Sequence, residues 1–215
     1  MLEPYYSNQF ATIYHGDSRE IVKLLDFDCI ITDPPYGIGL KTNYKQRKRD
    51  GLAQCQDFPP IHGDNVPFDP KWLLDFDVPT VLFGANHFSD SLPASSSWLV
   101  WDKLDGLTTT KREIGFNDQA DAELIWTNLG GPARILRQRW MGALKSGRDA
   151  RNRRIHPTQK PVELMQRIVG LTTGTVLDPY MGSGTTLLAA QELNRPVIGI
   201  EFEERYCEIA ADRLS

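Results

Sequence analysis

Along the 215-residue chain, short apolar runs alternate with stretches whose apolar positions return at helical spacing. Ala11 to His15 reads as a strand that ends at Gly16-Asp17. Ser18 to Leu25 places Ile21, Val22, Leu24 and Leu25 on one helical face, with Asp17 or Ser18 as the N-cap. Asp28 to Thr32 contains Cys29-Ile30-Ile31, the unbroken apolar run of a parallel strand buried on both faces. It stops at Asp33-Pro34-Pro35. Val78 to Phe83, Trp98 to Trp101 and Glu123 to Trp126 read as further strands. From Pro161 the pattern turns helical through Val162, Leu164, Met165, Ile168 and Val169. Then come a strand at Thr175 to Leu177, a glycine-rich turn at 182–184 and a helix at Leu187 to Leu193. A strand at Pro196 to Ile200 and a closing helix from Glu203 to Leu214 complete the series. Residues 41–70 and 128–155 are polar, rich in glycine or arginine, and aperiodic, so they read as irregular. Strands alternating with helices predict an α/β fold: a mostly parallel twisted sheet with helices on both faces. In such sheets ligands bind beyond the carboxyl ends of the strands.

Composition narrows the class. The length supports one sizeable core, hence one domain with loop insertions. No apolar run approaches the roughly 20 residues of a membrane span. The start, Met1-Leu2-Glu3-Pro4, lacks the pattern of a secretory signal, so a cytoplasmic location is expected. Cys29, Cys55 and Cys207 are widely spaced and suggest neither disulfides nor zinc. His15, His62, His87 and His156 also lack metal spacing, and no metal site is expected. The net charge of −4 hides a segregation. Segments 41–49 and 134–154 hold 13 of the 24 basic residues and one of the 28 acidic ones. The remainder therefore carries 11 basic against 27 acidic residues, a net of −16. Two basic patches on an acidic protein can neutralise phosphates, or they are simply solvated loops.

Val176 to Thr186 is a strand running into a helix through Gly182-Ser183-Gly184. Glycines let backbone approach a ligand closely. The dinucleotide fingerprint needs a small residue where Leu187 stands, and no Lys follows Gly184 as in a P-loop. Glu201 ends the next strand, where an acid can accept both hydroxyls of a ribose. An adenosine ligand without a pyrophosphate fits both facts, and S-adenosylmethionine is one. The alternative is a purely structural strand-to-helix connection.

Asp33-Pro34-Pro35-Tyr36 offers different chemistry. Two prolines fix the backbone and remove two donors, leaving a carbonyl free to accept. A carboxylate and an aromatic ring stand beside it. Two acceptors can draw on both hydrogens of an exocyclic amine, localise its lone pair and aim it at a methyl donor. Tyr36 can stack on the base, flipped out of its duplex. The alternative is a proline-rich loop with a capping Asp.

Both motifs resemble the amino-methylating DNA methyltransferases of the β arrangement, in which the catalytic half precedes the cofactor half. The resemblance covers nearly the whole chain. Phe83 to Phe88 and Trp98 to Lys103 are similar to that family's middle strands, and Arg154 to Pro161 to the segment before its cofactor half. It implies a Rossmann-like S-adenosylmethionine-dependent methyltransferase fold acting on double-stranded DNA. Asp33, Pro34, Pro35 and Tyr36 would be catalytic. Asp17, Asp33, His156, Thr158, Lys160, Asp178, Tyr180, Gly182, Ser183, Gly184, Thr185, Glu201 and Phe202 would hold the cofactor, with His156, Thr158 and Lys160 at its methionine end. Lys41, Lys45, Arg47, Lys48, Arg49, Arg134, Arg137, Arg139, Lys145, Arg148, Arg151 and Arg153 would meet DNA. Residues 1–126 would form the catalytic half with a basic insertion near 41–66, residues 127–153 a short target-recognition segment, and 154–215 the cofactor half. Asp at the first catalytic position favours adenine N6 over cytosine N4. The family further implies a bacterial or phage source, frequent homodimers and, in some members, a restriction endonuclease partner. Cytosine-N4 or RNA methylation, and a non-catalytic DNA-binding protein, are the competing readings.

Overall fold

A computed structural model describes residues 2–42, 58–106, 120–141, 144–151 and 155–215. The first half runs β1 (Tyr6–Ser7), β2 (Ala11–His15), α1 (Ser18–Ile21), β3 (Cys29–Thr32), α2 (Lys71–Leu74), β4 (Thr80–Phe83), β5 (Trp98–Asp102) and β6 (Ala122–Thr127). The second runs β7 (Arg134–Arg137), β8 (Trp140–Met141), β9 (Leu144–Lys145), α3 (Val162–Val169), β10 (Val176–Asp178), α4 (Thr185–Glu192), β11 (Val197–Glu201) and α5 (Glu204–Leu214). Nine strands form one sheet in the order β1-β2-β11-β10-β3-β4-β6-β5-β7, and β8 and β9 pair separately. From β2 to β4 every pairing is parallel, whereas β6 runs antiparallel between β4 and β5.

Strand pleating explains the layers. Successive side chains point to opposite faces. Ile31 and Phe83 join Leu164, Ile168 and Ala189 under α3, α4 and α5. Their neighbours Ile30 and Leu82 join Val22, Phe68, Leu73 and Phe88 on the other face. Because β2, β3, β4, β10 and β11 are parallel, their carboxyl ends share one edge. Gly16-Asp17, the Asp33 turn, Gly84, Asp178 and Glu201 all fall there, as the alternating pattern predicts. Among the described residues, no helix is long and apolar enough to cross a membrane.

Three departures have local causes. The helix expected over Ser18 to Leu25 changes to a 3-10 turn at Val22–Leu24. Asp17 caps its start, accepting from Arg19 N at 2.9 Å. The helix expected from Leu187 begins at Thr185, directly after Gly184 in a left-handed conformation (φ 74°). The segment 128–155, expected to be irregular, contributes β7 to the sheet edge. Arg134–Arg137 is largely exposed, so its strand carries no apolar alternation to read.

The chain that follows the Asp33 turn is tied back onto it. Thr42 Oγ1 donates to the Phe58 and Pro59 carbonyls at 2.8 and 3.0 Å, and Phe58 N donates to Thr42 O. The Asp64 carboxylate, 4% exposed, accepts from the backbone N–H groups of Gly37, Ile38 and Leu40 at 2.9, 3.3 and 2.6 Å. Those bonds close the chain back onto the turn.

Candidate active site

A cleft of about 770 Å³ lies along the carboxyl edge of the sheet. Asp33, Pro34, Pro35 and Tyr36 line one side, and Asp178, Tyr180, Gly182, Glu201 and Phe202 the other. Asp17, His156, Thr158, Lys160, Ser183 and Thr185 line it too. The two sequence motifs, 145 residues apart at their first acids, meet because β3 and β10 are paired neighbours.

On the catalytic side the turn follows directly from β3. Tyr36 OH donates within a short bond to Asp33 Oδ1 and stands 2.9 Å from Glu123 Oε1. Lys160 Nζ lies 2.6 Å from Asp33 Oδ2 and 2.9 Å from Glu123 Oε1. Lys103 Nζ lies 2.9 Å from Glu123 Oε2. Two carboxylates and two ammonium groups thus form one charge-balanced buried cluster, as burial of charge requires. Burial raises the Asp33 carboxyl above its usual range, and the Glu123 charge adds to this, while Lys160 pulls it back. Burial would also raise Glu123, but Lys160 and Lys103 outweigh it and bring it to about 2. Burial would lower Lys160, yet the two carboxylates hold it raised, so it stays an ammonium. The Tyr36 phenol is pushed well up, by burial first and then by the two acids. It remains protonated and able to donate.

The Tyr36 ring is held as firmly as its hydroxyl. His87 stacks on it with centroids 4.9 Å apart and planes at 16°. Gly84 approaches so closely that a β-carbon there would sit 2.1 Å from the ring, and its φ of 63° already disfavours a side chain. We expect Gly84→Ala to cost about 1–3 kcal/mol of stability and to lower any activity that uses the ring, by displacing it. A thermal melt beside an activity assay checks both. Unchanged values would remove Gly84 from the site's support.

On the cofactor side, the Glu201 carboxylate accepts from Gly182 N at 3.0 Å and from Glu203 N at 2.8 Å. Burial pushes it up to about 7 despite those bonds. Each oxygen keeps lone pairs for a ligand's hydroxyls. Phe202, 49% exposed, stands at the mouth with His62 stacked on it at 4.0 Å. Asp178 is committed internally. It accepts from Thr32 Oγ1 at 2.7 Å, from Tyr180 N at 3.1 Å and from Thr186 Oγ1, locking β10 to β3 and to α4. Burial lifts it to about 6. His156 packs on Gly182 and edge-on to Tyr206 at 4.4 Å, and burial, aided by Lys160 and Arg205, lowers it to about 3. It is a neutral wall beside the glycine turn. A cradle with a partly free carboxylate beside a glycine turn fits S-adenosylmethionine, and Glu201, Gly182 and Phe202 would hold its adenosine.

The structure distributes the remaining candidates unevenly. Gly184 does not line the cleft. A β-carbon there would meet Ala210 of α5 at 2.7 Å, so this glycine serves helix packing. Lys160, expected at the methionine end, lines the cleft and pairs with Asp33. Of the basic residues expected to meet DNA, Lys41 and Arg134 are exposed. Arg148 pairs with Glu192, and Arg137 and Arg139 lie 3.7 Å from Asp102 and Asp105. Lys145 lies over the Trp140 ring at 4.7 Å. Lys45, Arg47, Lys48, Arg49 and Arg153 lie outside the described residues, as does the side chain of Arg151. Sequence reasoning missed Glu123. Its signal was an acid opening an otherwise apolar strand, and the antiparallel course of β6 brings that opening to the cleft opposite Trp101.

Known proteins resemble this chain in sequence and in fold. A family model of N6/N4 type, described as DNA methylase, matches residues 94–212. The chain is 36% identical over its full length to the type II methyltransferase M2.LlaDCHI of Lactococcus lactis subsp. cremoris, spanning 93% of that protein. It is 48% identical to the type II methyltransferase M.BglII of Bacillus subtilis, over 94% of this chain and 68% of the relative. Among solved structures, the crystal structure of the M1.HpyAVI–SAM complex superposes with a TM-score of 0.58 at 26% identity, over 96% of this chain and 100% of that one.

Proposed function

The chain belongs to the N6/N4 family of DNA methylases and uses S-adenosylmethionine, and from that premise we propose that it methylates the exocyclic N6 amine of adenine in double-stranded DNA. The observation that carries this reading is the shared cleft, with the Asp33 carboxylate and Tyr36 ring on one side and Glu201 on the other. Bound there, S-adenosylmethionine supplies an electrophilic methyl group on a sulfonium. Asp33 and the carbonyl freed by the two prolines accept the two amine hydrogens and orient the lone pair. Tyr36 stacks on the base. Rigid positioning of this kind supplies a large part of the rate. The Asp33 side chain is only 18% exposed, so the target base must leave its duplex to reach it. An acid at the first catalytic position supports adenine.

We assign target reading to residues 127–153 together with the insertion near 41–66, which carry the two basic segments. The test is nucleoside analysis of DNA from a methylation-deficient host expressing the protein. N6-methyladenine is the expected product. N4-methylcytosine alone would overturn the choice of base and leave the pocket standing. Methylated RNA without methylated DNA would overturn the choice of nucleic acid. Binding to DNA without any methylated product would make the chain a binding protein.

A further inference from the structure

The buried cluster poses a problem for catalysis. Both Asp33 oxygens are engaged, Oδ1 by Tyr36 OH and Oδ2 by Lys160 Nζ. Each oxygen keeps a second lone pair, but an incoming amine competes with these two donors for the carboxylate, and a donor that yields to it loses its acceptor. A buried donor left without an acceptor carries a full desolvation penalty, so the displaced group needs somewhere to go. Glu123 provides it. Its Oε1 lies within hydrogen-bond reach of both groups that hold Asp33, at 2.9 Å from each. The phenol has one hydrogen and two carboxylate acceptors, and a small rotation of the hydroxyl moves that hydrogen from one to the other.

We propose that Glu123 is a positioning residue for methyl transfer, the alternate acceptor that takes the Tyr36 hydroxyl and shares the Lys160 ammonium so that Asp33 is released to the substrate amine. Lys103 serves Glu123 in turn. It occupies Oε2 and fixes the carboxylate with Oε1 toward the cluster. No bond is made or broken in this exchange; one hydroxyl hydrogen changes acceptor. The inference rests on the reading of Asp33 as an acceptor of the base amine.

Among the described residues, the groups facing Asp33 are Tyr36 on its own turn, Glu123 from β6, Lys160 from the segment before α3 and Asp178 from β10. Glu123→Gln keeps the shape and removes the charge. Steady-state transfer to unmethylated genomic DNA should show kcat reduced on the order of 10²-fold, with cofactor affinity by calorimetry unchanged. The pH profile separates this role from a structural one. Glu123 raises the Asp33 carboxyl, and the variant also leaves Lys160 wholly to Asp33, so the acid limb of kcat should move to lower pH as the plateau falls. Glu123→Asp, which retains the charge, should recover part of the rate. The proposal is overturned if Glu123→Gln keeps wild-type kcat, if its acid limb stays in place, or if cofactor binding is lost in parallel. A wild-type protein that methylates no nucleic acid would instead overturn the reading of Asp33, and this inference with it.

Discussion

Asp33→Ala should cripple methyl transfer, with a fall in kcat on the order of 10²–10³, while the protein still binds S-adenosylmethionine. The magnitude follows from what is removed. The side chain is one of two acceptors that aim the amine, and loss of a preorganised polar group at a reacting centre costs on the order of 10²–10³ in rate. The substitution also frees the Tyr36 hydroxyl and half of the Lys160 contacts, so the ring loses one of its two anchors. Glu201 and Gly182 are untouched, which is why cofactor affinity is spared. Stability should fall by less than the roughly 3–5 kcal/mol of a buried pair left with a bare charge, because Glu123 still neutralises Lys160. Radiolabel transfer, cofactor calorimetry and a thermal melt on one preparation separate the three effects. An active Asp33→Ala enzyme would remove the catalytic assignment altogether.

The second large effect belongs to Glu201. Glu201→Gln should weaken S-adenosylmethionine binding about 10- to 100-fold, the loss expected when hydrogen bonds to a charged acceptor worth about 1.5–3 kcal/mol become neutral. Saturating cofactor should restore most of kcat. The wild type should also show a pH dependence that the variant lacks. Burial pushes this carboxyl up to about 7, and the ionised form is the better acceptor for ribose hydroxyls. Affinity should therefore be full above neutrality and decline as pH falls through about 7. The stability term has the opposite sign. A carboxyl raised on folding favours the native state as pH falls from about 7 toward its unfolded value, so acidification stabilises the fold through this group while weakening its grip on the cofactor. Calorimetric titrations on either side of neutrality test this. A flat wild-type profile would show that Glu201 does not carry the ribose.

Much of the site was legible because its parts end strands. Asp33, Asp178 and Glu201 each terminate an apolar run, and parallel strands necessarily carry such ends to one edge. What escaped depends on contacts that no local pattern encodes. Glu123 opens β6 rather than ending it, and only the reversal of that strand delivers it to the cleft. Lys160 is 127 residues from Asp33, and its ion pair exists only once α3 packs beneath β3. Gly184 looks like a ligand-binding glycine, yet the neighbour that forbids a side chain is Ala210, 26 positions on. Likewise the arginines of 134–148 share a charge but not a fate, since Asp102 at the end of β5, Asp105 just beyond it and Glu192 at the end of α4 claim three of them.

The knot of bonds around Thr42, Phe58 and Asp64 has a consequence for how such enzymes diversify. It ties the described chain on either side of residues 43–57 back onto the Asp33 turn. Between two points tied in this way, added length costs only about 0.6 kcal/mol per doubling. The sequence between Thr42 and Phe58 can therefore change in length and charge while the turn beneath keeps its geometry.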